Sequence, residues 1–384
     1  MRCRGQSAPS PAAQDWLMKI FHCGHCQQLI FFENSRCVSC DHKLAYLPDL
    51  GVVGSLDPAG GDIWQCPLSP AEGQTYRLCG NYRENICNWA VPAADLDPLC
   101  RSCRLTRVIP DLSRPGHKEA WYRLEVAKRR LVYNILSLGL PLKNKVDDPV
   151  HGLAFEFLAD SHVVGAAPVL TGHKSGVITI SVVEADDAQR EQRRLQLHEP
   201  YRTLLGHFRH EIGHYYWAQL IQNADRINAF RQLFGDEGEN YNHALKQHYE
   251  RGAPADWQQR FVSAYASSHP WEDWAETWGL YLLMTDALET AAACGLSLRP
   301  GRPDEPSLQP DAYGTSLKPF DRMMDDWFPL TYALTNLNRS LGLPDGYPFV
   351  LSTAAIDKLR FVHESIAEQR GRSVDVQIHV PSPR

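Results

Sequence analysis

The chain lacks the features that would place it in a membrane or mark it for export. No run of 18 apolar residues occurs in its 384, and a helix needs roughly 20 to cross a bilayer. The longest greasy segment, Leu131 to Leu142, is broken by Asn134 and Ser137. The opening residues, MRCRGQSAPSPAAQDWLM, hold no apolar core for a secretory signal. These absences predict a soluble, cytoplasmic protein with no membrane partner. Excess positive charge is lacking too. The formal net charge is -6, which argues against a surface that grips nucleic acid over its whole extent. No internal repeat is present. Cysteine is scarce through most of the chain: of 11, ten precede residue 104 and the other is Cys294.

In a cytoplasmic chain, cysteines paired as C-x2-C point to metal and not to disulfides. Cys23-x2-Cys26-x10-Cys37-x2-Cys40 forms two such knuckles. Together they set four thiolates around one tetrahedral zinc. His22 and His25 are alternative nitrogen ligands, but four sulfurs already complete the coordination. A second set, Cys79-x7-Cys87-x12-Cys100-x2-Cys103, has one tight knuckle, and Cys66 stands as an alternative to Cys79. Cys3 and Cys294 read as plain side chains. A closed four-thiolate site has no open coordination position, so neither set is assigned catalysis. Each supplies folding free energy to a turn-rich region whose sequence promises little core.

Composition divides the chain further. Residues 1–17, rich in Ser, Pro, Ala and Gln, are expected to be disordered. Met1 and Met18 both stand as candidate starts. The two cysteine sets suggest one zinc ribbon over 18–50 and a second over 51–115. From residue 116 the pattern turns helical. Trp121, Leu124, Leu131, Ile135 and Leu138 predict an amphipathic helix over 116–138. LAFEFLA (153–159), PVL (168–170) and VITISVV (177–183) read as strands, with a hairpin-like turn in TGHKSG between the last two. Residues 184–197 read as a charged surface helix. Pro200 suits the first turn of a long helix carried to about Asn223.

That long helix carries His210-Glu211-Ile212-Gly213-His214. Residues four apart share a helix face, so two imidazoles reach one metal. Glu211 lies beside it, where a carboxylate can take a proton from an activated water. The flanking Leu204, Leu205, Phe208, Ile212 and Trp217 predict burial, and a buried His-Glu-His face needs a reason. A catalytic zinc usually takes a third protein ligand. No H-x-x-G-x-x-H extension follows His214, which excludes the metzincin arrangement. The next candidate is HPWEDWAETWGLYLL (269–283), where Pro270 suits a helix start and Glu272 and Glu276 share a face. This E-x-x-x-E resembles the glutamate-zincins. The resemblance assigns Glu272 to zinc and Glu276 to a His210 or His214 imidazole; Glu276 or Asp273 as ligand remain the alternatives. Tyr265, seven residues before Glu272, has the spacing found in the lethal-factor type of zincin, where the phenol donates to the oxyanion.

The longer segments YRLCGNYRENICNWAV (76–91), LCRSCRLTRVIPDL (99–112), EPYRTLLGHFRHEIGHYYW (199–217), FGDEGENYNHAL (234–245) and YASSHPWEDWAETW (265–278) resemble a bacterial family of zinc-binding metallopeptidases with an N-terminal zinc-ribbon domain. The resemblance runs from about Met18 to about Val362. One departure is GLYLLMTD (279–286), where the family often carries histidines. The implied architecture is α+β: a double zinc ribbon, then a mainly helical zincin-like domain over 116–384 with a small β-sheet. The implied cofactors are one catalytic and two structural zinc ions. The implied reaction is peptide hydrolysis with Glu211 as general base, on a peptide or protein substrate. The strand at 177–183 is a candidate partner for an extended substrate.

A second class is a zinc-ribbon module that binds nucleic acid or protein, with a slow or inactive peptidase domain. Between Arg101 and Arg130 nine Lys/Arg face three acids, a net +6. SprT-like proteases pair a similar metal motif with zinc modules and act on DNA-bound proteins. A weak nucleic-acid contact through 101–130 is therefore carried forward beside the solvated-face reading.

Overall fold

Tight turns at the cysteine knuckles set the start of the chain. The computed structural model describes residues 20–67, 71–160, 169–197, 203–222, 226–309, 317–345 and 350–378. The tail expected over 1–17, with Cys3, lies outside them. After each of the first two knuckles the chain reverses through a left-handed residue, Gln27 (φ 61°) and Asp41 (φ 57°). Their amides return to the carbonyls of Cys23 and Cys37. β1 (Phe21–His22) and β2 (Leu29–Ile30) pair across the first turn.

β3 (Lys43–Leu47), β4 (Val52–Gly60), β5 (Ile63–Gln65), β6 (Thr75–Leu78) and β7 (Ala90–Pro92) then form one antiparallel sheet in chain order. The division expected at 50/51 falls inside the β3–β4 hairpin, so the two cysteine sets flank a shared sheet. This region also holds more core than its sequence promises. Ala45, Leu47, Leu56, Cys66, Tyr76 and Ala90 are buried together. Tyr46 and Trp89 pack at 4.6 Å between ring centroids.

β8 (Thr106–Val108) leads into α1 (His117–Ser137). The five apolar residues that predicted this helix are all buried. Its Tyr133 reaches back to Tyr46 and Phe32, at 5.8 and 5.4 Å, joining the helix to the cysteine-rich region. β9 (Ala154–Leu158), β10 (Gly172–Lys174) and β11 (Val177–Ser181) complete a second sheet in the order β10-β11-β9-β8. β8 and β11 lie parallel to β9, and β10 is antiparallel to β11.

The hairpin differs from expectation. Its first strand is Gly172–Lys174, inside the segment read as a turn; residue 168 lies outside the described residues, and 169–170 are not strand. The turn itself is only Ser175 and Gly176, both at positive φ (50° and 80°). Positive angles at both positions are those of a type I′ turn, whose twist matches that of the flanking strands. β11 is consequently an interior strand, and the edge facing away from it is β10.

The remainder is helical: α2 (Asp187–Leu197), α3 (Leu204–Leu220), α4 (Ile227–Phe234), α5 (Tyr241–Arg251), α6 (Pro270–Ala293), α7 (Phe320–Ser340) and α8 (Thr353–Ile378). α3 begins at Leu204 and not at Pro200, which lies outside the described residues. Thr203 Oγ1 accepts from the Gly206 amide at 3.0 Å, satisfying an orphan donor of the first turn. His269 caps α6 in the same way, accepting from the Trp271 amide, with Pro270 in the first turn. α3 and α6 pack along an aromatic seam. Trp274 and Trp278 are fully buried, and Tyr216 stacks on Trp278 at 5.0 Å. Each such side chain contributes about 2–3 kcal/mol by leaving water. No helix among the described residues is long and apolar enough to cross a membrane.

Candidate metal centre

Three clusters of metal-ligating side chains emerge from this fold: Cys23, Cys26, Cys37 and Cys40; Cys79, Cys87, Cys100 and Cys103; and His210, His214 and Glu272. In the first, Cys23 and Cys40 sulfurs lie 3.6 Å apart, as do Cys26 and Cys37. In the second, Cys87 and Cys100 are at 3.7 Å. A disulfide would need about 2.05 Å. Four sulfurs at about 2.3 Å from one zinc would sit roughly 3.8 Å from each other, the edge of that tetrahedron. The sulfurs therefore fit zinc. Backbone amides of Trp89, Cys100 and Cys103 point at the sulfurs of Cys87, Cys79 and Cys100, each at 3.4 Å. Cys66 lies apart, in the core under β4, and Cys79 takes the place in the cluster. Cys294 is exposed at the end of α6.

The third cluster joins α3 to α6. A close approach makes this possible. A Cβ added at Gly213 would sit 3.1 Å from Ala275 Cα and 3.2 Å from Trp278 Cβ, tighter than ordinary contact. The Trp274 indole N–H donates to the Gly213 carbonyl at 2.8 Å, tying the helices at that level. One turn along each helix the donors meet. His210 Nε2 lies 3.0 Å from Glu272 Oε2, and His214 Nε2 lies 3.6 Å from Glu272 Oε1. The far nitrogen of His210, Nδ1, is 2.7 Å from Glu276 Oε1. Glu276 thus sits behind an imidazole, while Glu272 faces both. Asp273 points elsewhere, to Lys358 Nζ at 2.6 Å.

Electrostatics and burial fit a cation. Burial opposes charge on His210, yet Glu272 and Glu276 outweigh it and hold the imidazole well above its ordinary range. Burial likewise opposes charge on Glu272, but His214 and His210 hold its carboxyl well below the carboxylate range. Glu211 is also buried, and burial raises its carboxyl. Its Oε2, like His214 Nδ1, has no hydrogen-bond partner among the described residues. Two imidazoles and a carboxylate converging beside a second, unpartnered carboxylate match the donor chemistry of zinc.

Tyr265 begins a 3-10 turn before α6, its ring 6.0 Å from that of His210. Burial, with Glu272 nearby, raises its phenol well above the usual range, so it remains a proton donor. Three contacts were not foreseen from the sequence. Tyr241 on α5 donates to Glu272 Oε1 at 2.8 Å, and Ser263 Oγ donates to Glu276 Oε2 at 2.7 Å. Trp271 packs on His214 at 4.1 Å between centroids. Tyr241 and Ser263 lie 31 and 13 residues from the acids they touch. No local spacing signals such pairs. Trp271 was adjacent to a named ligand and was legible in principle from the buried helix start.

A mainly helical domain whose α3–α6 pair brings together side chains that could hold a metal follows a cysteine-clustered ribbon region. The comparisons with known proteins agree. Residues 117–365 match the family described as "Putative zinc-binding metallo-peptidase", and residues 20–114 match a zinc-ribbon domain. The chain belongs to that metallopeptidase family. It is 44% identical to uncharacterized proteins of Mycobacterium tuberculosis and Mycobacterium bovis over 352 residues, covering 91% of this chain and 96% of each relative. No solved structure matches.

Proposed function

We propose that the protein is a zincin-type peptidase whose catalytic zinc is held by His210, His214 and Glu272, with two further zinc ions in the cysteine clusters. The observation that carries this reading is the convergence of His210, His214 and Glu272 donors beside buried, unpartnered Glu211. A bound zinc would supply a Lewis acid and lower the pKa of a water nucleophile. Glu211 takes the proton from the attacking water and returns it to the leaving amine. Its raised carboxyl suits both halves of that transfer. Tyr265 donates to the oxyanion as charge develops on the carbonyl oxygen. Glu276 accepts from His210 Nδ1 and fixes that ring.

An extended peptide meets β10 and not β11, since β10 is the sheet edge and its His173 ring lies 6.3 Å from that of His214. The alternative, nucleic-acid contact through 101–130, has less support. Arg104, Arg107, Arg114, Lys118, Arg123, Lys128 and Arg130 each sit in an ion pair with a carboxylate of this chain. Arg129 is buried and donates to the Ile86 carbonyl.

Proteome-wide cleavage profiling of the parent against Glu211→Gln tests the reading. That change keeps shape and donors while removing the base, so parent-specific neo-termini should vanish. Identical profiles from the two proteins would overturn it.

A further inference from the structure

We infer that Tyr241 is a positioning residue for the metal-binding carboxylate, fixing the rotation of Glu272 that turns Oε2 to His210 and Oε1 to His214. This rests on the proposed metal centre and deepens it. The argument starts from a free torsion. The last torsion of a glutamate is broad and roughly two-fold, so burial alone does not fix its two oxygens. Each acid of the pair solves this in the same way. Glu276 gives one oxygen to His210 and has the other held by the Ser263 hydroxyl, both at 2.7 Å. Glu272 turns Oε2 to His210 Nε2 at 3.0 Å and has Oε1 held by the Tyr241 hydroxyl at 2.8 Å. A carboxylate only accepts, so the phenol is the donor.

The helix that supplies Tyr241 is otherwise a surface element. None of the α5 residues Tyr241–Arg251 is fully buried. The chain enters α5 after Gly235 (φ 104°) and leaves it at Gly252 (φ 77°), backbone angles that favour glycine. Asn240 caps it through the His243 amide at 3.0 Å. Tyr241 also lies edge-on to His269 and Trp271, at 5.2 and 6.0 Å, residues that open α6 beside Glu272. The phenol thus joins a peripheral helix to the donor set through one hydrogen bond.

Competitive zinc titration of Tyr241→Phe, in the full chain with both cysteine clusters loaded, tests this. The variant keeps the ring and removes the hydroxyl. Zinc affinity at the histidine site should fall roughly 10- to 100-fold, the usual cost of losing a partner behind a ligand. The unfolding midpoint of protein stripped at that site should match the parent, because no buried packing is lost. In a Glu272→Ala background, Tyr241→Phe should cause no further loss, since the phenol acts through that carboxylate. Parent-like affinity in Tyr241→Phe, or an equal loss in the Glu272→Ala background, would overturn the inference. His214→Ala is the control for the underlying reading. If His214→Ala sheds a zinc and Tyr241→Phe does not weaken it, the inference alone falls. If His214→Ala leaves zinc content unchanged, the metal centre falls and the inference with it.

Discussion

The cysteine clusters and the histidine cluster recruit their donors in opposite ways. Cys23 to Cys40 span a short turn-rich stretch, and their positions depend on knuckles with left-handed residues after them. His210 and Glu272 come from two long helices and meet because Gly213 lets those helices touch. In the first cluster Cys26 is exposed and Cys40 half-buried, so packing alone holds those two donors loosely. Donors on packed helices are held by the aromatic seam of Trp274, Trp278 and Tyr216 whether or not an ion is bound. On the proposed reading, a single metal would serve as fold and as reagent in one chain, according to what else fixes its ligands.

The largest effect should come from the loop-borne side. Structural zinc contributes about 10–16 kcal/mol to folding in small finger peptides at neutral pH. Cys40→Ser should therefore release a zinc and open residues 20–67 to limited proteolysis. Unchanged zinc content and an unchanged digestion pattern would erase the contrast. The helix-borne side should instead lose metal without unfolding. Glu272→Ala removes a direct ligand and should shed zinc under mild chelation. Glu276→Ala should keep zinc at stoichiometric supply but bind it roughly 10- to 100-fold more weakly, because His210 loses its orienting partner. Titrations with the two variants exchanged in rank would reverse their roles, and would weaken the proposal for Tyr265, which leans on its spacing to Glu272.

The smallest expected change is the most diagnostic. Gly213→Ala gains about 1 kcal/mol of helix propensity, while overpacking a tight contact costs about 1–3 kcal/mol. Net stability should drop only slightly. The added methyl meets the α6 backbone at Ala275, so the relief available is to part α3 from α6. Zinc affinity at the histidine site should consequently fall more than chemical denaturation reports. A variant that lost stability and kept its affinity would show that the helix contact does not set the donor spacing.

Much of this was legible because it is local. Spacing along one helix named His210, Glu211 and His214, and spacing along another named Glu272 and Glu276. The knuckles named six of the eight clustered cysteines; Cys79 and Cys87 came from looser spacing, and only Cys79 had a rival in Cys66. Contacts formed by chain segments far apart were not legible. Tyr241 and Ser263 carry no periodic signal that points at an acid on α6. The hairpin's turn fell within TGHKSG as expected, but its first strand was misplaced because Gly172–Lys174 belong to strand and Ser175 and Gly176 alone make the turn. The expected poverty of core before residue 116 was a reading of its turns and its cysteines, which do not show partners supplied by the rest of the chain. Tyr46 and Trp89 find theirs partly in Tyr133, on a helix assigned to the other half.

The pairing of β8 with β9 has a consequence for how this chain can be divided. The zinc-ribbon match ends at residue 114 and the metallopeptidase match begins at 117, which invites a cut between them. The cut passes through no covalent neighbour of the histidine site. It does remove the strand that covers one side of β9. β9 carries Ala154, Phe155 and Phe157, all buried. A fragment starting after the cut would present that apolar strand with an open row of amides and carbonyls, a template for self-association. The two parts are modules by inheritance and a single object by hydrogen bonding, so the smallest unit that stays dispersed should include both.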